Sequence, residues 1–179
     1  MPLLAGRASV LACYSFGKAQ RILSGVDPTI GPIVVHGAVR PLNDAYRAAG
    51  VQLPDTRMVT EIGDKTELRR ALVLCPPSAV ASTWLRRFGE TSTAFASGWM
   101  QLRGARRRGG YVRGFVLSDH ADWPGLMSAI GATGAQRIIV THGSVPVMVR
   151  YLSEQGWQAE AFETEYGGDV VEADVEEGT

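Results

Sequence analysis

The sequence contains three histidines, and two of them follow apolar runs that favour β-strands. His120 lies in residues 118–122 (SDHAD), and His142 lies in residues 141–143 (THG). Imidazole can transfer a proton near neutral pH, and it is a good ligand for zinc. Because carboxylates flank His120 on both sides, this pattern indicates acid–base or metal-assisted chemistry around the two histidines.

Two strands and one helix must position these histidines. The apolar runs 111–117 and 137–141 predict strands, and residues 123–131 between them predict a helix. In such a βαβ unit the strands are parallel, and neighbouring strands lie about 4.8 Å apart. Both histidines are therefore expected at the carboxyl edge of one sheet, where open α/β sheets place their chemistry.

The rest of the chain continues the alternation of strands and helices, and several strands are apolar on both faces, as in parallel sheets covered by helices. The pattern predicts an α/β fold. Residues 98–110 fit neither period and indicate a loop or short helix rich in Gly and Arg. The further expected strands are 8–14, 32–35, 71–75 and 92–96, and the further expected helices are 17–25, 41–49, 77–87 and 145–155.

Composition excludes several classes of protein. With 179 residues, 45% hydrophobic and 20% charged, the chain is long and apolar enough for one sizeable domain or two small ones. Cys13 and Cys75 lie in apolar runs, which disfavours a disulfide scaffold or a CxxC zinc site and favours a reducing cytoplasm. No apolar run approaches the roughly 20 residues that span a bilayer, so we expect a cytoplasmic protein without membrane contact.

Charge is divided unevenly along the chain. Residues 1–150 hold all 18 Lys and Arg with 9 Asp and Glu, whereas residues 151–179 hold 9 Asp and Glu alone. Arginine suits bidentate contact with phosphate, so Arg106, Arg107 and Arg108 are expected to bind a polyanion such as nucleic acid. The alternative is that this Arg enrichment reflects genome composition and solvated faces.

The motifs SDHAD and THG, preceded by YSFGKAQR and ASGWMQLRG, resemble the C-terminal half of metallo-β-lactamase-fold nucleases that carry a β-CASP insertion. The resemblance points in particular to bacterial ligase-associated DNA damage response exonucleases, which are encoded beside an ATP-dependent DNA ligase and a helicase. It implies part of a β-CASP domain over 1–100, the C-terminal βα units of a metallo-β-lactamase domain over 101–166, and an acidic tail over 167–179.

The resemblance also implies roles for individual residues. His120 matches a histidine that protonates the leaving oxygen or holds the scissile phosphate, and His142 matches a ligand that completes a dinuclear zinc site. Asp122 would orient a neighbouring imidazole or, alternatively, cap the next helix. For His36, which matches a position inside the insertion, we favour a structural role or a substrate contact over metal binding.

Further substrate contacts follow from the same resemblance. A Gly-basic-Ala-Gln turn would grip the substrate backbone, and a small-residue turn would face the same cleft. For Lys18 the alternative is a solvated helix residue. The expected substrate-binding residues are Gly17, Lys18, Gln20, Ser97, Gly98 and Ser118, together with the three arginines.

One departure from the family pattern is decisive for activity. Most zinc ligands in this family come from an upstream His-x-His-x-Asp-His run, and this sequence contains no such run. We therefore expect a truncated or split product that is part of a zinc-dependent DNA exonuclease and inactive alone. The alternatives are an RNA-processing β-CASP nuclease and a noncatalytic nucleic-acid-binding α/β scaffold for a ligase or helicase.

Overall fold

The computed structural model describes residues 6–101 and 113–162. The chain divides into two compact units, Met1–His120 and Ala121–Thr179. A strand over residues 113–115 joins the sheet of the first unit, and the domain boundary expected at residue 100 stays a prediction. None of the helices in the described parts is long and apolar enough to cross a membrane.

The first unit is built on a parallel six-stranded sheet. Its strands are β1 Ala8–Ala12, β2 Ile33–Val35, β3 Arg57–Met58, β4 Leu72–Cys75, β5 Thr91–Ala96 and β6 Arg113–Phe115. Their order in the sheet is β3-β2-β4-β1-β5-β6. All five strand pairings are parallel, and β1 is paired on both sides, with Val10 opposite Val73 of β4 and opposite Thr93 of β5.

Apolar clusters cover both faces of this sheet. Val73 and Phe88 belong to the cluster on one face, and Leu23 and Leu74 belong to the cluster on the other. Strands such as β4, with the sequence LVLC, are buried throughout because a parallel strand faces helices on both sides. The helices of this unit are α1 Lys18–Ser24, α2 Arg40–Ala48, α3 Lys65–Leu68 and α4 Pro77–Val80.

The strand order creates a crevice at the carboxyl edge. From β1 the chain continues to β2 on one side, whereas from β5 it continues to β6 on the other side. Neighbouring strands whose following connections diverge form a topological switch point, where the loops leave space between them. The sheet therefore opens for a ligand between the ends of β1 and β5.

The second unit contains two helices and a parallel pair of strands. Ile138 of the first strand lies opposite Ala159 of the second. Leu152 lies on the helix that connects these strands and is fully buried. The rings of Trp123 and Tyr151 meet edge-on with centroids 4.8 Å apart. The elements are α5 Trp123–Thr133, β7 Arg137–Val140, α6 Val145–Glu154 and β8 Gln158–Ala161.

The α/β class and the parallel sheet are confirmed, but two expectations are wrong in detail. The run 137–141 forms β7, yet its partner is β8, whereas β6 pairs with β5 in the other sheet. An apolar run predicts a strand without specifying its neighbour.

The helix expected over 77–87 stops at Val80. There the Ser82 hydroxyl donates to the Ala79 carbonyl and accepts from the Trp84 N–H, a local pattern that competes with helix continuation.

Candidate functional site

A cleft of about 490 Å³ opens at the carboxyl ends of β1, β5 and β6. Its lining brings together three motifs that lie far apart in the sequence, and it includes five of the residues expected to form the site. The lining residues are Tyr14, Lys18, Ser97, Gly98, Trp99, Gln101, Ser118 and His120.

The loop after β6 presents His120 to this cleft. The backbone N–H of His120 donates to Ser118 Oγ over 3.2 Å, and the same hydroxyl lies 3.3 Å from His120 Nδ1. The side chain of His120 is 83% exposed. Ser118 thus fixes the turn while the imidazole stays accessible to a ligand, as proton transfer or phosphate binding requires.

The loop after β5 forms the opposite wall. Ser97 is buried, and its hydroxyl accepts from the Trp99 N–H over 3.3 Å. A Cβ added at Gly98 would lie 3.5 Å from Ser118 Cβ, so the two loops are already in contact distance there. The indole of Trp99 is 65% exposed and offers an aromatic surface at the rim.

The first residue of α1, which follows β1, contributes a buried cation. Lys18 is 2% exposed, and its Nζ lies 3.2 Å from Asp119 Oδ1 and 4.6 Å from the centroid of the Tyr14 ring. The alternative of a solvated helix residue is therefore wrong for Lys18. Burial alone would raise the pKa of Asp119, but hydrogen bonds from its own backbone and from Lys18 outweigh that effect and lower the pKa.

Gly17 and Gln20 flank this lysine without lining the cleft. Gly17 has a φ of 73°, in the region that favours glycine. The side-chain amide of Gln20 is buried, and its Nε2 donates to the Ser15 carbonyl at 3.0 Å and to Asn43 Oδ1 at 2.8 Å. Its amide nitrogen is therefore engaged in the interior, and a substrate contact by Gln20 stays a prediction.

Asp122 and His142 belong to the second unit. Asp122 is the N-cap of α5, where its Oδ1 accepts from the Gly125 N–H over 2.9 Å, so the capping role is the one seen. His142 is exposed and adopts a left-handed backbone with a φ of 64°, followed by Gly143 at 71°. This sharp turn directs the chain from β7 into α6.

His36, the third histidine, follows β2. Its ring meets Trp84 edge-on at 4.8 Å, and its Nδ1 accepts from the Ala38 N–H over 3.1 Å. Partial burial lowers its pKa. These contacts are those of a structural residue, and a substrate contact by His36 stays a prediction.

Within residues 6–101 and 113–162, no group of three or more His, Cys, Asp or Glu side chains is arranged to hold a metal ion. A zinc centre uses three or four protein ligands, so this part of the chain does not by itself fit zinc. The expected arginine contacts at Arg106, Arg107 and Arg108 and the acidic tail over 167–179 lie outside the described residues.

Four lining or supporting residues were not expected from the sequence. They are Tyr14, Trp99, Gln101 and Asp119. Each lies within one of the motifs that carry the resemblance, so proximity to those motifs was the available signal.

Comparison with known proteins shows a similarity in sequence. No family model matches the chain, and no solved structure matches it. Over 150 residues, or 84% of its length, the chain is 32% identical to a protein of Opitutus terrae (strain DSM 11246 / JCM 15787 / PB90-1) named "Probable DNA ligase". The chain spans 14% of that relative's length. The similarity therefore concerns one part of a much longer protein.

Proposed function

We propose that this chain is part of a zinc-dependent metallo-β-lactamase/β-CASP exonuclease that hydrolyses phosphodiester bonds in DNA during ligase-associated repair in the cytoplasm. The observation that carries this proposal is the convergence of Lys18, Ser118 and His120, with the Ser97–Gly98 turn, in one cleft at the switch point of the sheet. These residues come from three loops, and open α/β sheets bind their ligands at such a place.

The chain's own residues suit phosphate chemistry. The exposed imidazole of His120 can donate a proton to a leaving oxygen or a hydrogen bond to the scissile phosphate. Ser118 sets the turn that holds this histidine. We place two zinc ions in the complete protein, with His142 as one ligand and the remaining ligands from polypeptide outside this chain.

The similarity to a ligase favours DNA as the polymer. In the relative, the segment similar to this chain is part of a polypeptide named as a DNA ligase. Segments joined in one polypeptide commonly serve one process, so an ATP-dependent DNA ligase is the proposed partner. A helicase is proposed as a second partner on the family resemblance alone.

Exposure in the second unit supports the proposal that more polypeptide completes this domain. Ile139 of β7 is 46% exposed and Val147 of α6 is 65% exposed, although parallel strands and their helices normally bury such side chains. A noncatalytic DNA-binding scaffold is the second candidate, favoured by the lack of a three-ligand metal group in the described ranges.

Binding to labelled oligonucleotides tests the proposal with the full chain. We expect a single-stranded DNA probe to bind, and His120→Ala to weaken this binding because the imidazole contacts phosphate. The control is Gln52→Ala, which alters an exposed polar residue outside the cleft and should leave binding unchanged. Equal binding by all three proteins would overturn the assignment of the cleft, and preference for the matching RNA probe would replace DNA as the polymer.

The complete protein separates the nuclease from the scaffold. There, His142→Ala should lower zinc content together with activity, and His120→Ala should keep zinc but slow hydrolysis by about 10²–10⁴-fold. If the complete protein contains no zinc and hydrolyses no DNA, the noncatalytic scaffold is the correct function instead.

A further inference from the structure

We infer that Lys18 is a positioning residue for His120, acting through Asp119 across strand β5, rather than a residue that grips the substrate. The inference rests on the proposed function, because it concerns the same cleft. Lys18 follows β1, whereas Asp119 and His120 follow β6, and β5 lies between these strands in the sheet. A contact between the two loops therefore links parts of the sheet that share no strand pairing.

The first observation is the environment of the ammonium group. Lys18 is 2% exposed, and its Nζ lies 3.2 Å from Asp119 Oδ1. A buried ammonium needs a counter-ion, because its transfer from water is costly unless the charge is paired. Asp119 fills that role, with the Tyr14 ring as a further neighbour at 4.6 Å. A charge already neutralised in this way attracts a phosphate only weakly.

The second observation is the close approach at Gly17. A Cβ built there would lie 2.7 Å from Asp119 Oδ2, closer than real Cβ atoms come to other atoms. The φ of 73° at Gly17 also disfavours any other residue. The loop after β1 is thus shaped around the Asp119 carboxylate, independently of the lysine charge.

The consequence concerns His120, which follows Asp119 directly. Asp119 Oδ1 lies 3.8 Å from His120 Nδ1, and Ser118 Oγ lies 3.3 Å from the same nitrogen. Within the described residues these are the polar contacts of an imidazole that is 83% exposed. Because the His120 side chain makes few contacts of its own, its position depends on how firmly the neighbouring Asp119 is held.

The first test measures local order in the full chain. Lys18→Met removes the charge and keeps an apolar stem, and Lys65→Met changes the chain's other lysine, which is exposed on α3. In Lys18→Met we expect faster amide exchange at residues 118–120. We also expect a higher midpoint for the Asp119 carboxyl titration by NMR, since Lys18 no longer holds its pKa down. Lys65→Met should change neither, and an unchanged Lys18→Met would refute the inference.

The second test is a double-mutant cycle on binding of a fluorescent DNA oligonucleotide. Lys18→Met should weaken binding by about tenfold, the size of coupling between contacting residues. In a His120→Ala background it should weaken binding no further, because its effect passes through the imidazole. Additive losses would mean that Lys18 contacts DNA itself, which would overturn the inference.

If Lys18→Met does not fold, Asp119→Asn removes the counter-charge with little change in shape, and the same exchange and binding results are expected. If the unmodified chain binds no DNA, the proposed function fails, while exchange at residues 118–120 and the Asp119 titration still decide the role of Lys18.

Discussion

The two units use the same βα pattern but differ sharply in what they bury. Strands β1 and β4 of the first unit are almost fully buried, with helices and apolar clusters on both faces. Among the described residues of the second unit, Leu152 is the single buried side chain. Parallel strands are stable when both faces are covered, and the central strands β1, β2 and β4 of the six-stranded sheet meet this condition within their own unit. The two-stranded sheet of β7 and β8 does not.

This difference separates the stable scaffold from the part that depends on further contacts. The cleft with His120 lies on loops held by the well-packed sheet. The expected zinc ligand His142 and the helix cap Asp122 lie on the sparsely packed unit. Mutations should therefore affect the two units by different amounts, and three predictions test that contrast in order of decreasing effect.

The largest effect is expected at Phe88. Its ring is 1% exposed and meets Trp84 edge-on with centroids 5.1 Å apart. Phe88→Ala removes this packing and leaves a cavity, so we expect the free energy of unfolding to fall by about 3–5 kcal/mol in urea titrations. The matched control is Phe162→Ala in the second unit, where the side chain is 58% exposed. A similar loss in both variants would contradict the contrast.

An intermediate effect is expected at Asn43, in the interior of the first unit. Asn43 accepts from Gln20 Nε2 at 2.8 Å, and its own amide donates to Thr56 Oγ1 at 3.4 Å. Asn43→Ala leaves buried polar groups with fewer partners, which lowers the free energy of unfolding by about 1–3 kcal/mol. Asp44→Ala, at the exposed neighbouring position of α2, is the control for helix propensity. Equal denaturation midpoints for the two variants would show that the buried network adds nothing.

The smallest effect is expected at Asp122. Asp122→Ala removes the N-cap of α5 and should cost about 1 kcal/mol, seen as faster amide exchange in the first turn of that helix. Asp122→Asn keeps a capping oxygen and loses the charge, so it should retain slow exchange. If Asp122→Asn slows hydrolysis by the complete protein while exchange stays slow, the carboxylate has the orienting role as well.

The contrast between the units also shows which strands can be predicted from the sequence. Apolar runs bounded by Gly and Pro locate the buried strands of the first unit, because burial on both faces leaves a continuous apolar signature. The two-residue strand β3 and the polar strand β8, with the sequence QAEA, leave no such signature. Periodicity alone cannot find them.

The site residues likewise include some that the sequence predicts and some that it does not. Ser97, Gly98, Ser118 and His120 lie in the cleft because the motifs mark strand ends, and parallel strands bring such ends to one edge. The pairing of Lys18 with Asp119 depends on the strand order β1-β5-β6, which residue types do not encode locally. The interior position of Gln20 likewise depends on how α1 packs near α2.

The backbone of His142 has a consequence for how this position tolerates change. At a φ of 64° an L-residue is disfavoured by about 1–2 kcal/mol relative to glycine. A library randomised at this codon and sorted only for folded protein should therefore become enriched in Gly and Asn. Sorted for nuclease activity of the complete protein, the same library should return to His. The difference between the two enrichments would show how strongly function favours the imidazole over a residue with less backbone strain, without any measurement of bound metal.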